Sequence, residues 1–169
     1  MSIIKDFIFI IFMSLFAISA NSQEVKKVGK FKDWEAMVIT EQAGKVCFAQ
    51  SAPVLQAPKS NIRGARMFVS FRPGEKISNE ISITGGYEFN NKNSITATSG
   101  KSKYKFDIAQ EGFAWIANNK IENKMIKTMK RGSRIMVTGY NQKGSQTKDH
   151  YSLLGFTKAY NATKEACKI

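Results

Sequence analysis

The sequence predicts a mainly β fold, an antiparallel β-sandwich or a partly closed barrel with two peripheral helices, one of them near the C-terminus. Strands are indicated by short stretches in which apolar and polar residues alternate, such as Met67, Val69 and Phe71 against Phe68 and Ser70. Clusters of Gly, Pro, Asn and Ser separate these stretches and are typical of turns. Two later segments carry apolar residues at helical spacing, which predicts the helices.

The strand pattern begins with a hairpin, in which residues 34–40 and 46–50 flank a turn at residues 41–45. Residues 51–64 hold two of the three prolines and show no periodicity, so we expect a surface loop there. In total we expect roughly seven to nine strands. The other predicted strands are residues 66–72, 80–84, 87–89, 95–98, 103–108, 133–140 and 149–154, and residues 113–117 form an apolar and aromatic stretch.

Residues 119–130 predict an amphipathic helix, because four apolar residues recur at helical spacing and Gly132 follows as a stop signal. Four lysines occupy the other side, which we interpret as the solvated face of a helix packed on a sheet; a membrane-surface helix is the alternative. A final helix from Gly155 would carry Cys167 back to the strand of Cys47. The apolar residues of the first helix are Ile121, Met125, Ile126 and Met129, and its lysines are Lys120, Lys124, Lys127 and Lys130.

The first 22 residues have the pattern of a cleavable secretory signal peptide. Residues 7–20 form an apolar run of about fourteen residues, shorter than the roughly twenty that cross a bilayer. The small residues Ala20 and Ser22 predict cleavage after Ser22, with cleavage after Ala20 as the alternative. An uncleaved membrane helix is disfavoured because Asp6 adjoins the short run. We expect residues 23–169 to form a single domain without a lipid anchor, in the periplasm or associated with the outer membrane.

The two cysteines, Cys47 and Cys167, predict one structural disulfide in such an oxidising compartment. It would close a loop of about 120 residues, for which the chain-entropy argument gives a stabilisation of about 4 to 5 kcal/mol. A redox pair or a metal site lacks support, since there is no Cys-x-x-Cys and His150 is the single histidine.

The composition is strongly basic, with 26 Lys and Arg against 13 Asp and Glu and a formal net charge of +13. Such an excess bears on partners and solubility rather than on fold. Outside the cytoplasm the anionic partners would be lipopolysaccharide, phospholipid head groups, acidic glycans or acidic proteins, with nucleic acid disfavoured. A solvated basic surface without a partner is the competing interpretation. The candidate anion-binding residues are Arg63, Arg66, Arg72, Lys127, Lys130, Arg131 and Arg134.

No catalytic constellation stands out. His150 adjoins Asp149, but neighbours in a strand point to opposite faces, so the two do not form part of a triad. A carboxylate pair stays open as an alternative because no spacing singles one out. We therefore expect a protein that is not an enzyme and that uses no cofactor and no metal.

Several strings then follow one another in a fixed order over nearly the whole of residues 31–167: Phe-Lys-Asp-Trp at 31–34, Arg-Pro-Gly-Glu-Lys at 72–76, Gly-Ser-Gln-Thr at 144–147 and Tyr-Ser-Leu-Leu-Gly-Phe at 151–156. Together they resemble the invasion-associated locus B family of exported α-proteobacterial proteins. The residues that carry the motifs are Asp33, Trp34, Arg72, Pro73, Trp115, Gly132, Gly139, Gly144, Thr147, Tyr151, Ser152, Leu153 and Gly155.

The resemblance implies a small β-rich protein of the periplasm or outer membrane, in a family whose founding group is linked to host-cell invasion. It also supports the bond between Cys47 and Cys167, and it carries over no catalytic residues. Our first hypothesis is a non-enzymatic protein with a cationic surface that binds the envelope or a partner in it. The alternatives are an envelope-polymer hydrolase with a carboxylate pair and an inhibitor or adaptor of another envelope protein. The oligomeric state stays open.

Overall fold

The computed structural model describes residues 24–41, 44–60 and 62–168, so the predicted signal peptide lies outside the described residues. Within these ranges the chain forms twelve strands and two α-helices. The strands are β1 Glu24–Phe31, β2 Trp34–Glu41, β3 Gly44–Ser51, β4 Leu55–Ala57, β5 Arg66–Arg72, β6 Ile77–Thr84, β7 Ile95–Ser99, β8 Ser102–Phe106, β9 Ile108–Gln110, β10 Phe113–Trp115, β11 Arg134–Tyr140 and β12 Gln146–Ser152. The helices are α1 Asn119–Arg131 and α2 Phe156–Cys167.

The strands form two antiparallel sheets that enclose one hydrophobic core. The first sheet has the order β1-β2-β3-β5-β6-β10-β9, and the second has the order β4-β12-β11-β7-β8. In the described residues the two sheets stay separate, so the fold is the predicted β-sandwich and not a closed barrel. Alternate side chains of the central strands enter the core, as Ala36 and Val38 do in β2 and Ile135 and Val137 do in β11.

Both helices pack on this core. In α2, the Phe156 ring lies 4.8 Å from that of Trp34 and the Tyr160 ring lies 5.5 Å from that of Phe71. The predicted helical spacing of α1 is confirmed, since Met125 is among its fully buried residues. The outward-facing sides of both sheets therefore stay open to solvent.

Two of the strings that resembled the family meet at one joint, although about 120 residues separate them in the chain. The indole nitrogen of Trp34 donates a hydrogen bond of 2.9 Å to the carbonyl of Ser152, and the Asp33 amide donates one of 3.3 Å to the carbonyl of Leu154. Gly155 has φ +90°, and a Cβ there would lie 1.8 Å from the carbonyl oxygen of Phe31. Only glycine fits that position.

The structure adds four strands that the sequence did not indicate, β1, β4, β9 and β10, and removes one that it did. Residues 24–31 form a separate edge strand, which a turn at Lys32, with φ +56°, divides from β2. The predicted loop contains the short strand β4, which pairs with β12. Residues 87–89 contribute one isolated bridge, between Phe89 and Asn141, because the preceding glycines end β6. The two polar strands, β1 and β4, are defined by their backbone pairing, and their side-chain pattern does not reveal that pairing.

The predicted disulfide between Cys47 and Cys167 is confirmed, and it joins β3 to the end of α2 across 120 residues of chain. Replacing both cysteines with serine should lower the free energy of unfolding by about 2 to 5 kcal/mol, because the unfolded chain regains the entropy of an open loop. Urea unfolding under oxidising conditions measures this loss. A reductant should lower the stability of the wild type alone; equal stability of the two proteins without reductant would contradict the prediction.

Candidate functional site

A buried ion pair joins Arg63, which precedes β5, to Asp149 of β12 in the second sheet. Arg63 binds the carboxylate of Asp149, and the side chains of both residues are nearly fully buried, at 4 % and 2 % exposure. Gln56 of β4 supports the pair: its amide donates to the Asp149 carboxylate and to the Arg63 carbonyl at 3.3 Å, and its side-chain oxygen accepts from the Arg63 amide at 3.0 Å. Burial raises the pKa of Asp149, and the charge of Arg63 opposes that rise.

Tyr87 completes this cluster beside a cavity of about 400 Å³. Its ring centroid lies 5.9 Å from the Arg63 guanidinium, and its hydroxyl shares a hydrogen bond of 2.5 Å with the Thr147 hydroxyl. Gly139 leaves room for that hydroxyl, because a Cβ there would lie 2.6 Å from it. Arg63 is thus committed to Asp149 inside the protein and does not present its charge at the surface.

Two other predicted anion-binding residues also have partners within the protein. The terminal nitrogens of Arg72 each bind one oxygen of Glu80 at 2.8 Å, and its Nε binds Glu75 at 3.1 Å. The ammonium of Lys130 lies 3.9 Å from the centroid of the Tyr160 ring, a cation–π contact.

The remaining four predicted residues are exposed but lie on different surfaces. Arg66 points outward from the first sheet, beside Thr84 of β6. Lys127 and Arg131 lie one turn apart on the exposed side of α1, and Arg134 begins β11 in the second sheet. The structure therefore does not bring the seven residues together on one face.

The outward side of the second sheet instead carries a different set of cations. Lys103, Lys105, Arg134 and Lys148 all point to solvent from this sheet, and we call them the basic face. The only carboxylate in its five strands belongs to Asp149, which points into the core.

One row across this sheet shows how the basic face is spaced. Lys105 pairs with Thr96, Thr96 with Thr138 and Thr138 with Lys148, so the two lysines lie at the ends of a four-strand row. Strand spacing places the Cα atoms of the two lysines about 14 Å apart. Asp107, just beyond β8, lies 3.7 Å from Lys105, but both side chains are largely exposed, so this ion pair is weak.

Of the four residues of the basic face, the sequence identified Arg134 as a candidate but not the three lysines. Two of these lysines, Lys103 and Lys105, could have been placed from sequence. They alternate with Tyr104 and Phe106, which are expected to face the core, so the lysines are expected to face outward. Lys148 gave no such signal, because its place opposite Thr138 follows only from the register of β11 with β12.

A second concave region of about 650 Å³ lies between the β6-β10-β9 edge of the first sheet and the start of α1. We call it the Trp115 groove. Two of its lining residues are carboxylates, Glu80 and Glu122. Burial raises the pKa of Glu122, which accepts hydrogen bonds from the Ile81 amide at 2.8 Å and from the Asn119 side chain at 3.3 Å.

Two kinds of feature are absent from the part of the chain that the structure describes. Its His, Cys, Asp and Glu side chains include no group of three or more arranged to hold a metal ion. None of its helices has the length and apolar character to cross a membrane.

The fold and these sites define a disulfide-bonded antiparallel β-sandwich with a basic face on one sheet. The model of the family described as "Invasion associated locus B (IalB) protein" matches residues 34–164, and the chain belongs to that family. This match confirms the resemblance of the sequence motifs.

Among solved structures, the chain is similar to the crystal structure of invasion-associated protein B from Bartonella henselae. The TM-score is 0.59 at 15 % identity, and the similarity covers 85 % of this chain and 99 % of that one. At this identity the comparison supports the fold alone. A search of curated proteins finds no match to this chain.

The buried ion pair leads to a prediction about stability. Replacing Arg63 with Met should lower the free energy of unfolding by about 3 to 5 kcal/mol, because Asp149 keeps a buried charge without its partner. The double variant Arg63→Met with Asp149→Leu should recover part of this loss, since no buried charge remains. Urea unfolding measures both changes.

Arg66→Met is the matched control, because Arg66 is exposed and its loss should change stability by no more than about 0.5 kcal/mol. An equal loss in Arg63→Met and Arg66→Met would refute the role of burial.

Glu122 leads to a prediction about pH. Its raised pKa in the folded state means that folding favours the protonated form, so its contribution to stability falls as pH rises from about 4.3 through that raised pKa. Glu122→Gln removes this titration. The stability difference between wild type and variant should therefore shift in favour of the wild type on acidification from pH 7 to pH 4.5. Thermal unfolding at several pH values measures the difference; a constant or opposite trend would rule it out.

Proposed function

We propose that this protein is an exported, periplasmic binding protein that attaches to anionic components of the bacterial envelope through its basic face and catalyses no reaction. The single observation that carries the proposal is the one-sided charge of the second sheet: four outward cations, with the only carboxylate of the five strands turned inward. Phosphate and carboxylate groups on an extended surface complement such a face.

The periplasmic location rests on the N-terminal segment and is compatible with the disulfide. Residues 1–22 have the pattern of a signal peptide, and a disulfide persists in an oxidising compartment. Association with the outer membrane would follow from binding to its anionic lipids.

The neighbourhood of the basic face supports a surface ligand over a small molecule. Between its lysines the row presents Thr96 and Thr138, whose hydroxyls donate and accept hydrogen bonds on the outward side of the strands. A flat polar face suits a repetitive anionic layer, whereas small-molecule sites are concave.

The hydrolase alternative has weaker support. Glu122 is 5 % exposed, and both of its oxygens accept hydrogen bonds from the protein. Glu80 is held by both terminal nitrogens of Arg72. These contacts favour structural roles for the two carboxylates in the Trp115 groove.

Charge reversal on the basic face tests the proposal. The double variant Lys103→Glu with Lys105→Glu should bind vesicles of phosphatidylglycerol and phosphatidylethanolamine about thirtyfold more weakly than the wild type, since each lysine near an anionic surface contributes about 1 kcal/mol. Lipopolysaccharide serves as a second probe. Wild-type binding should weaken steeply as salt rises, because salt screens charges at the surface.

The matched control is Lys120→Glu with Lys124→Glu on the exposed side of α1, which changes the net charge by the same amount. It should keep most of the binding. Equal losses in the two double variants would show that net charge alone attracts the protein, and full retention by the basic-face variant would overturn the proposal.

A further inference from the structure

The Trp115 groove combines an aromatic surface with hydrogen-bonding groups. Trp115 of β10 pairs in register with Ser82 on one side and with Ile108 on the other, so its ring has a small neighbour and an aliphatic one. Ile108 is 47 % exposed and forms part of the same groove. The rim of the groove therefore presents a flat ring next to an apolar side chain.

The aromatic surface continues from the groove across the outward side of the first sheet. Phe113 lies 5.8 Å from Trp115 between ring centroids, and the two rings are stacked. Phe68 lies 6.2 Å from Phe113, and Phe48 lies 6.0 Å from Phe68. These four rings form a continuous row, which we call the aromatic row, from β3 to β10, and Phe113 is 37 % exposed.

The polar groups of the groove include both donors and acceptors, since the cations Arg72 and Lys76 line it together with two carboxylates. The carboxylate of Glu80 is held by Arg72 and retains lone pairs for further donors, whereas Glu122 is buried and bonded to the Ile81 amide. The hydroxyl of Ser78 and the amide of Gln110 also line the groove. The two cations balance the two carboxylates, and a neutral ligand with many hydroxyl groups, which both donate and accept hydrogen bonds, fits this mixed set.

We propose that the Trp115 groove and the aromatic row bind a neutral pyranose chain, that is, a glycan strand. The weakly positive C–H groups on one side of a pyranose ring fit the negative face of an aromatic ring. The ring hydroxyls would donate to the carboxylate of Glu80 and hydrogen-bond with Ser78 and Gln110. This site lies on the opposite sheet from the basic face and goes beyond the proposed attachment to anionic groups, because it recognises an uncharged ligand.

Two neutral pentasaccharides serve as probes: the β-1,4-linked pentamers of N-acetylglucosamine and of glucose. They separate an amino-sugar chain from a hexose chain, and binding of either supports the proposal. Wild-type protein should show a saturable heat of binding and a change in tryptophan fluorescence. The fluorescence change reports Trp115, since the other of the two tryptophans, Trp34, is fully buried in the core. Binding should not depend on salt.

Trp115→Leu keeps an apolar side chain but removes the flat ring, and it should weaken binding about tenfold by calorimetry. Tyr140→Leu makes the same kind of change on the outward side of the second sheet and should bind within about twofold of the wild type. Ile108→Glu, at an exposed position on the rim, should also weaken sugar binding. If Trp115→Leu fails to fold, the sugar affinity of Ile108→Glu tests the proposal in its place.

The basic-face variant Lys103→Glu with Lys105→Glu should bind the pentasaccharides as the wild type does. If this variant loses vesicle binding but keeps sugar binding, the two sites act independently. A failure of the envelope proposal can then be distinguished from a failure of the glycan proposal. Absence of heat and of a fluorescence change with both sugars would overturn the glycan proposal, as would unchanged sugar affinity in folded Trp115→Leu or in Ile108→Glu.

Discussion

The packing of Trp34 fixes the relative positions of three parts of this protein. The side chain is fully buried at the start of β2, its ring contacts Phe156 of α2, and its indole nitrogen binds the carbonyl of Ser152 at the end of β12. One residue thus joins the first sheet, the second sheet and the last helix. A buried indole that keeps its hydrogen bond combines a large apolar contact with a directional one. The orientation of the basic face relative to the Trp115 groove depends on this joint.

The parts of the fold that were predictable from sequence are those with a strong local pattern. The β2-β3 hairpin follows from strict alternation of apolar residues, and α1 follows from helical spacing that ends at Gly132. The disulfide followed from the count of two cysteines. By contrast, β1 and β4 are polar elements at sheet edges, where one side of a strand needs no apolar residues. Their pairing partners supply the information that their own residues lack.

The candidate sites were harder to predict because their residues come from distant segments. Arg63 lies in a polar loop next to Gly64 and has the sequence context of an exposed cation, yet Asp149, 86 residues later, draws it into the interior. The basic face combines β8, β11 and β12, and the Trp115 groove combines β6, β9, β10 and α1. Residue type identified the side chains that could act; only register and packing show which of them act together.

The pairing of Cys47 with Cys167 also has a consequence for how the chain matures. Cys167 lies at the end of α2, so the covalent closure must wait until the chain has been made as far as that helix, 120 residues after Cys47. With two cysteines in the sequence, only one intramolecular disulfide isomer exists. Formation of the bond between these two cysteines therefore has no competing pairing within residues 1–169, and it requires an electron acceptor.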